Sequence, residues 1–302
     1  MLRIRSLAEI GADAADEGIR GLWASGESRP EWCFVGERDG EVVARMAYAA
    51  APVAEAVPQL EHRLVGVWAP AWDERGVADL RAVLEETLPV VQPRPITLDF
   101  RFNAESVGDQ VAARVGLAES AGFALFQEKV GVLWTDIGQP LLEVERLTFQ
   151  PLTEVGRDTY GPIMAACIEG TLDRNDRYYW DLCGPQVWAA EMFGYLEPGD
   201  GASWFLASDR SGQVVGHVAL GTFGEPATGT IVHIGVLPAH RGRGYVDELL
   251  GGAAHAARTR GFRHILSDVD RLNTPMLSAM RRAGHDPDAR RWHVWHYRLT
   301  PA

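Results

Sequence analysis

The sequence predicts an α/β protein assembled from two similar halves, and three observations carry the prediction. Residues 231–250 read as a strand, a basic glycine loop and a helix in direct succession. Several short segments of the first half reappear in the same order in the second. At 302 residues and 46% hydrophobic, the chain holds enough apolar side chains for one large domain or two of ordinary size.

The strand in 231–250 is the apolar, β-branched run from Ile231 to Val236. Pro238 stops it, because proline has no N–H to give the ladder. Arg241, Gly242, Arg243 and Gly244 follow, and then Val246, Leu249, Leu250, Ala253 and Ala257 recur at helical spacing. Arg258 and Arg260 fall in the last turn, with Gly261 as the residue just past it. Glycines let several backbone N–H groups converge on one anion, and a helix N-terminus adds unpaired donors and a positive dipole end. Two arginines add charge and forked donors. The construction suits a pyrophosphate; the plain alternative is a glycine-rich turn with solvated arginines. It is neither a P-loop nor a dinucleotide fingerprint, since G-x-x-x-x-G-K-S/T and G-x-G-x-x-G are both missing.

The stretch resembles the acetyl-CoA loop of the GNAT acyltransferase superfamily, with pattern Gln/Arg-x-x-Gly-x-Gly/Ala. Arg241 and Gly244 meet the first two fixed places, and Val246 stands in the third. The segment from Asn273 to Gly284 and His285 resembles the family's N-x-x-M/A…G-F run behind the fifth strand, with His285 in the phenylalanine place. A helix and a strand over His264 to Asp270 separate the two motifs. The resemblance implies a central mixed sheet flanked by helices and acetyl-CoA as acyl donor. It implies that backbone N–H groups of the fourth strand, at Gly235, Val236 and Leu237, hold the pantetheine and polarise the thioester. The pyrophosphate would then lie on Arg241, Gly242, Arg243, Gly244, Tyr245 and Val246, with Asn273 nearby.

The repeat is seen by laying the halves on each other. Glu37 to Val43 matches Asp209 to Val215, each a strand, tight turn and strand, with Gly40 and Gly212 offset by 172. Val67 to Pro70 lies opposite Val236 to Pro238, and Ile96 to Phe100 opposite Ile265 to Val269, both offset by 169. Leu117 to Phe123 pairs with Ser278 to His285, and Val132 to Trp134 echoes Val294 and Trp295. The duplication resembles tandem GNAT proteins, an architecture also seen in mycothiol synthase. The expected domains are 1–138, degenerate, and 146–302, which binds acetyl-CoA. Gln139 to Glu145 is the linker, and Arg146 opens a strand parallel to that of Leu2 to Leu7. In the first half the counterpart of the phosphate loop is Ala69 to Gly76, where Asp73 and Glu74 stand in place of basic glycines. Like charges there repel a diphosphate, so this half is expected to have lost the cofactor.

Composition narrows the partners. The net charge is 29 − 41 = −12, which argues against nucleic acid. No apolar run reaches the roughly 18 residues of a membrane span. Residues 1–30 lack the pattern of a secretion signal, so a cytoplasmic location is expected. Cys33, Cys167 and Cys183 show no metal spacing and read as reduced structural thiols; no metal is expected. Lys129 is the single lysine among 29 basic residues. The expected assembly is a monomer or homodimer.

Acyl transfer to an amine needs a base, an oxyanion donor and a departing thiolate. His233, two residues before Gly235, is the first candidate base, and His217 on the preceding strand the second. Met280 occupies the place where the family often has a tyrosine acid, and Tyr245 lies too near the phosphate loop to replace it. Residues 170–180 are rich in charge and aromatics for a helix connection. Asp173 or Asp176 there would pair with a cationic acceptor, and Tyr178 or Trp180 would cover its apolar part. Trp292, Trp295 and Tyr297 read as core. The expected function is acetyl-CoA-dependent N-acyl transfer to a small-molecule amine. The alternatives are another acyl-CoA or a hydroxyl acceptor, and a non-catalytic acyl-CoA sensor of the same fold.

Overall fold

The computed structural model describes residues 1–11, 15–50, 62–91, 95–102, 108–225, 227–287 and 293–299, and these fall into two compact units. The first comprises 1–128 and 294–302, the second 129–293.

The first unit begins with β1 (Arg3–Ser6), α1 (Leu7–Ile10), α2 (Glu17–Ala24), β2 (Cys33–Arg38) and β3 (Glu41–Ala49). It continues with β4 (His62–Trp68), α3 (Glu74–Val91), β5 (Ile96–Phe102), α4 (Gly108–Ser120) and the start of β6 (Ala124–Thr135). In the second unit, Lys129–Thr135 of β6 are followed by β7 (Leu147–Pro151), α5 (Leu152–Val155), α6 (Arg157–Ala166) and α7 (Arg174–Met192). Then come β8 (Trp204–Asp209), β9 (Val214–Thr222), β10 (Thr228–Val236), α8 (Tyr245–Thr259), β11 (His264–Asp270) and α9 (Thr274–Arg282). The last strand, β12 (His293–Leu299), returns from Val294 onward to the first unit.

Both units carry the mixed sheet that the fold class implies. In the first the order is β1-β2-β3-β4-β5-β12, antiparallel through β4 and parallel between β4 and β5. In the second it is β6-β11-β10-β9-β8-β7, parallel only between β10 and β11. The matched tight turns are both real: Gly40 and Gly212 sit at φ 85° and 83° between hairpin strands. Residues 139–145, read as linker, hold no helix or strand.

The second unit's core forms where the helical face read from sequence meets the sheet. Leu249, Leu250, Ala253 and Ala257 of α8 are fully buried against Val218, Leu220, Ile265 and Trp134. In the first unit Tyr297 is buried with Phe100 and Phe102, and Trp295 packs beside it, so both are core as expected. Trp292 lies outside the described residues. Among the described residues no helix is long and apolar enough to cross a membrane.

His285 shows what the phenylalanine place demands. The imidazole is buried, its Nδ1 has no hydrogen-bond partner, and burial pushes its pKa down to about 4. A folded-state value below the unfolded one of about 6.5 means that stability is complete above pH 6.5 and lost as pH falls toward 4. The loss amounts to about 2 kcal/mol by pH 5. His285→Phe should therefore raise the melting temperature at pH 7 and flatten the decline between pH 7 and 5; an unchanged slope in pH-dependent unfolding would contradict this.

Candidate active site

The site begins where a parallel ladder stops. β10 pairs with β11 only from Thr228 to Thr230, against His264 to Leu266. At Ile231 the backbone N–H donates instead to the Ser267 hydroxyl at 3.4 Å, and beyond that point the two strands share no ladder. The other edge of β10 stays on β9, through a bulge between Ile231 and His233. The Leu237 N–H donates to Val215 O at 2.8 Å, so it is spent on β9. Alternation along the antiparallel pair places Gly235 on that same edge and turns the Val236 N–H toward the opening. Of the three N–H groups expected to hold the pantetheine, Val236 alone faces the opening between β10 and β11. Gly235 serves by its missing side chain: a Cβ there would stand 2.6 Å from Cys167 Cβ.

The loop after β10 is built for exposed donors. Gly242 and Gly244 adopt φ 74° and 76°, and Gly244 is the N-cap of α8. The N–H groups of Gly242, Arg243, Gly244, Tyr245 and Val246 find no protein acceptor among the described residues. Val246 packs against the apolar cluster, so its bulk is turned from the loop. The arginines behave differently from the sequence expectation of phosphate forks. Arg241 donates to the carbonyls of Val236 at 3.1 Å, Gly170 at 3.3 Å and Cys167 at 2.9 Å, tying the end of α6 to the end of β10. Arg243 donates to Ala239 O at 3.1 Å. Asn273 caps α9, accepting from Met276 N at 3.3 Å.

Sequence reading missed the residue that shapes this loop. Arg146, at the end of the linker, donates to Arg243 O at 2.8 Å and Gly244 O at 3.2 Å, and its guanidinium lies 4.9 Å over the Tyr245 ring. Its Nε also donates to the nearly buried Glu248 carboxylate, which accepts the N–H groups of Glu145 and Arg146 at 2.9 and 2.7 Å. Burial alone would raise the Glu248 pKa; the donors from Arg146 and Glu145 outweigh it and hold the carboxyl below its usual range. Nothing in the spacing of Arg146 signals this role.

Beside the opening runs a chain of hydrogen bonds. Tyr160 Oη on α6 meets His217 Nδ1 on β9 at 3.0 Å; His217 Nε2 meets His233 Nδ1 on β10 at 2.9 Å; His233 Nε2 meets Asp176 Oδ2 on α7 at 3.3 Å. Both candidate bases thus stand in one relay, joined by Tyr160, which the sequence did not single out. His217 is fully buried, and burial, then the neighbouring His233, pushes its pKa well below 6.5. It stays neutral. Trp188 meets His233 edge-on, with ring centroids 4.9 Å apart.

The stretch expected to form an acceptor loop is mostly helix, since α7 begins at Arg174. Asp173 is its N-cap, accepting from Asn175 N at 2.9 Å and Asp176 N at 3.1 Å, which spends one carboxylate oxygen on the backbone. Tyr178 pairs edge-on with Tyr179, and Trp180 packs on the apolar cluster around Tyr160. Asp176 alone of the four reaches the relay. Around it, Lys129 pairs with Asp268 at 3.0 Å and Arg174 with Asp270 at 3.2 Å. Burial works against the Lys129 charge, but Asp268, Asp173 and Asp176 outweigh it and keep the ammonium protonated. Met280, in the place of the family's tyrosine acid, is buried core. The Cys167 thiol is pushed up to about 12 by burial, against the lowering effect of Arg241, which fits a structural thiol. Among the described residues no group of three or more His, Cys, Asp or Glu is placed to hold a metal ion.

Residues 172–285 match the Acetyltransferase (GNAT) family. A streptothricin acetyltransferase from Streptomyces lavendulae is 36% identical over 80 residues, 26% of this chain and 42% of that protein, so the chain spans less than half of its relative's length. A GCN5-related N-acetyltransferase from Sphaerobacter thermophilus has the same fold, with TM-score 0.62 and 16% identity over 99% of this chain and 95% of its own. A tandem GNAT protein from the clavulanic acid biosynthesis pathway gives TM-score 0.54 and 15% identity over 100% and 99%. Residues 172–285 thus carry the match to the GNAT acetyltransferase family, and the chain shares the fold of GNAT proteins, a tandem one among them, along its length.

Proposed function

We propose that the protein transfers the acetyl group of acetyl-CoA to the amine of a small cationic molecule, with donor and chemistry both in the second unit. The observation that carries this reading is that one stretch of β10 presents an unpaired Val236 N–H and the His233–Asp176 pair. The five free N–H groups from Gly242 to Val246, at a helix N-terminus, fit a pyrophosphate. The Asp176 carboxylate, beside His233 and near Asp173 and Asp268, favours a cationic acceptor. The sequence shared with the streptothricin acetyltransferase supports transfer to a small molecule rather than to a protein.

Acetyl-CoA, when bound, supplies an electrophilic thioester carbonyl and a thiolate leaving group. The chain's part is proton handling and charge stabilisation. Without a ligand, every contact is satisfied by the Tyr160 hydroxyl donating to His217 Nδ1, His217 Nε2–H to His233 Nδ1 and His233 Nε2–H to the Asp176 carboxylate. An ammonium seated on Asp176 favours the reverse tautomers, from His233 Nδ1–H to His217 Nε2, from His217 Nδ1–H to Tyr160 Oη, and from the Tyr160 hydroxyl to Val218 O at 3.4 Å. That leaves the His233 Nε2 lone pair free beside Asp176. An incoming ammonium is held by the Asp176 carboxylate and gives one proton to Nε2. The imidazolium then lies between the Asp176 carboxylate and the His217 nitrogen, the logic of a carboxylate-supported base. The Val236 N–H is the donor available to the carbonyl oxygen as negative charge develops on it. A binding-only sensor gives this relay no task.

His233→Gln should lower kcat with an amine acceptor by about 10²- to 10³-fold while acetyl-CoA affinity holds within about twofold. Asp176→Asn should lower kcat and raise KM for a cationic acceptor. Unchanged turnover in both variants, measured by thiol release, would place the base elsewhere. Arg146→Lys keeps a cation on Glu248 but loses the fork on the Arg243 and Gly244 carbonyls. It should weaken acetyl-CoA binding by about tenfold, a free-energy change of about 1.4 kcal/mol, with the fold intact by circular dichroism; unaltered affinity would show that the loop orders itself.

A further inference from the structure

The first unit contains a fork of its own. β4 pairs with β5 only from His62 to Leu64, against Ile96 to Leu98, and then the strands share no ladder. Beyond that point β4 bulges against β3, and Gly66 there takes φ 62°. Between the strands lies a cleft of about 450 Å³, large enough for a small organic molecule.

One end of this fork is closed to a diphosphate. Asp73 Oδ1 accepts the Gly76 N–H at 2.8 Å, so a carboxylate of the chain already occupies the N-terminus of α3. The cleft's walls nonetheless hold a charge without a counter-charge. Arg63 is paired with Glu27 at 2.6 Å, and Asp99 with His296 at 2.5 Å. Among the described residues Arg114 makes no ion pair or hydrogen bond; its buried Nε has no acceptor, and its guanidinium lies 5.0 Å from the Trp72 ring and 6.0 Å from the Phe102 ring. A half-buried guanidinium beside two aromatic rings, its Nε buried without an acceptor, lacks part of the hydrogen bonding that repays desolvation. Leu98, Phe100 and Val67 supply an apolar floor beside it.

We infer that this cleft is a binding site for a small organic monoanion, its carboxylate on Arg114 and its apolar body along β4 and β5. A single unpaired guanidinium matches one carboxylate in charge and in forked geometry. Arg63 and Arg101 line the same cleft, and the Asp99 carboxylate on its wall disfavours the second charge of a phosphate dianion. The site differs from the donor site of the second unit in having no loop of free N–H groups.

The test is calorimetric titration of the whole chain with phenylacetate, with its neutral isostere phenylacetamide, with inorganic phosphate, and with phenylacetate in saturating acetyl-CoA. The expected result is saturable binding of phenylacetate at one site per chain, weaker binding of the amide by about tenfold, and no displacement by acetyl-CoA. Arg114→Gln should weaken phenylacetate by about tenfold and leave both the melting temperature and acetyl-CoA turnover unchanged. Should Arg114→Gln unfold the chain, Val67→Trp, which fills the cleft, should abolish binding instead. Equal binding of acid and amide, preference for phosphate, displacement by acetyl-CoA, or no binding of phenylacetate would each overturn the inference.

Discussion

Three ladder positions hold β10 to β11, and then the pair opens while β10 keeps its hold on β9. Backbone N–H groups inside a sheet are normally satisfied, and an unpaired one costs free energy unless a ligand supplies the acceptor. The opening therefore makes Val236 a donor in waiting, and it places His233 and the α6–α7 turn along the same strand. Arg241 keeps the arrangement rigid by bonding three carbonyls across β10 and the end of α6. Gly235 lets Cys167 approach within the distance that a Cβ would forbid. The glycine loop, the Val236 N–H and His233, to which the proposed reaction assigns donor binding, oxyanion stabilisation and the base, all take their positions from where the ladder stops.

Much of this was legible because it is local in sequence. The strand, the glycine turn and the helix from Ile231 to Thr259 follow from periodicity, Pro238 and the left-handed needs of Gly242 and Gly244. The repeat of matched turns and strands announced two mixed sheets of the same order. The relay was legible only in part. His217 and His233 stood out as histidines on the Gly235 strand and the strand before it, but Tyr160 and Asp176 come from helices whose placement is set by tertiary packing. Asp173 looked equal to Asp176 in sequence; the N-cap geometry separates them, since one oxygen of Asp173 is taken by the first turn. Arg146 was invisible because its acceptors lie about a hundred residues away and are backbone carbonyls, which carry no sequence identity.

The two units use similar sheets to different ends, and the difference is electrostatic. A helix N-terminus following a sheet fork offers free donors and a positive dipole end. In the second unit the turn there is glycine and arginine, its carbonyls are held by Arg146, and the donors stay free. In the first unit Asp73 fills the same position with its own carboxylate. There the chain's own carboxylate takes a donor that an anion would need. The first unit keeps the fork without the phosphate cradle.

The central claim is that acetyl-CoA binds at a single fork, that of the second unit, through its free backbone donors. It is tested most directly by calorimetric titration of acetyl-CoA into the whole chain and into Gly244→Ala, which strains the left-handed residue at the head of α8. One site per chain, weakened by about tenfold or more in the variant, is the predicted result. Two sites, no binding, or a single site indifferent to the substitution would contradict it.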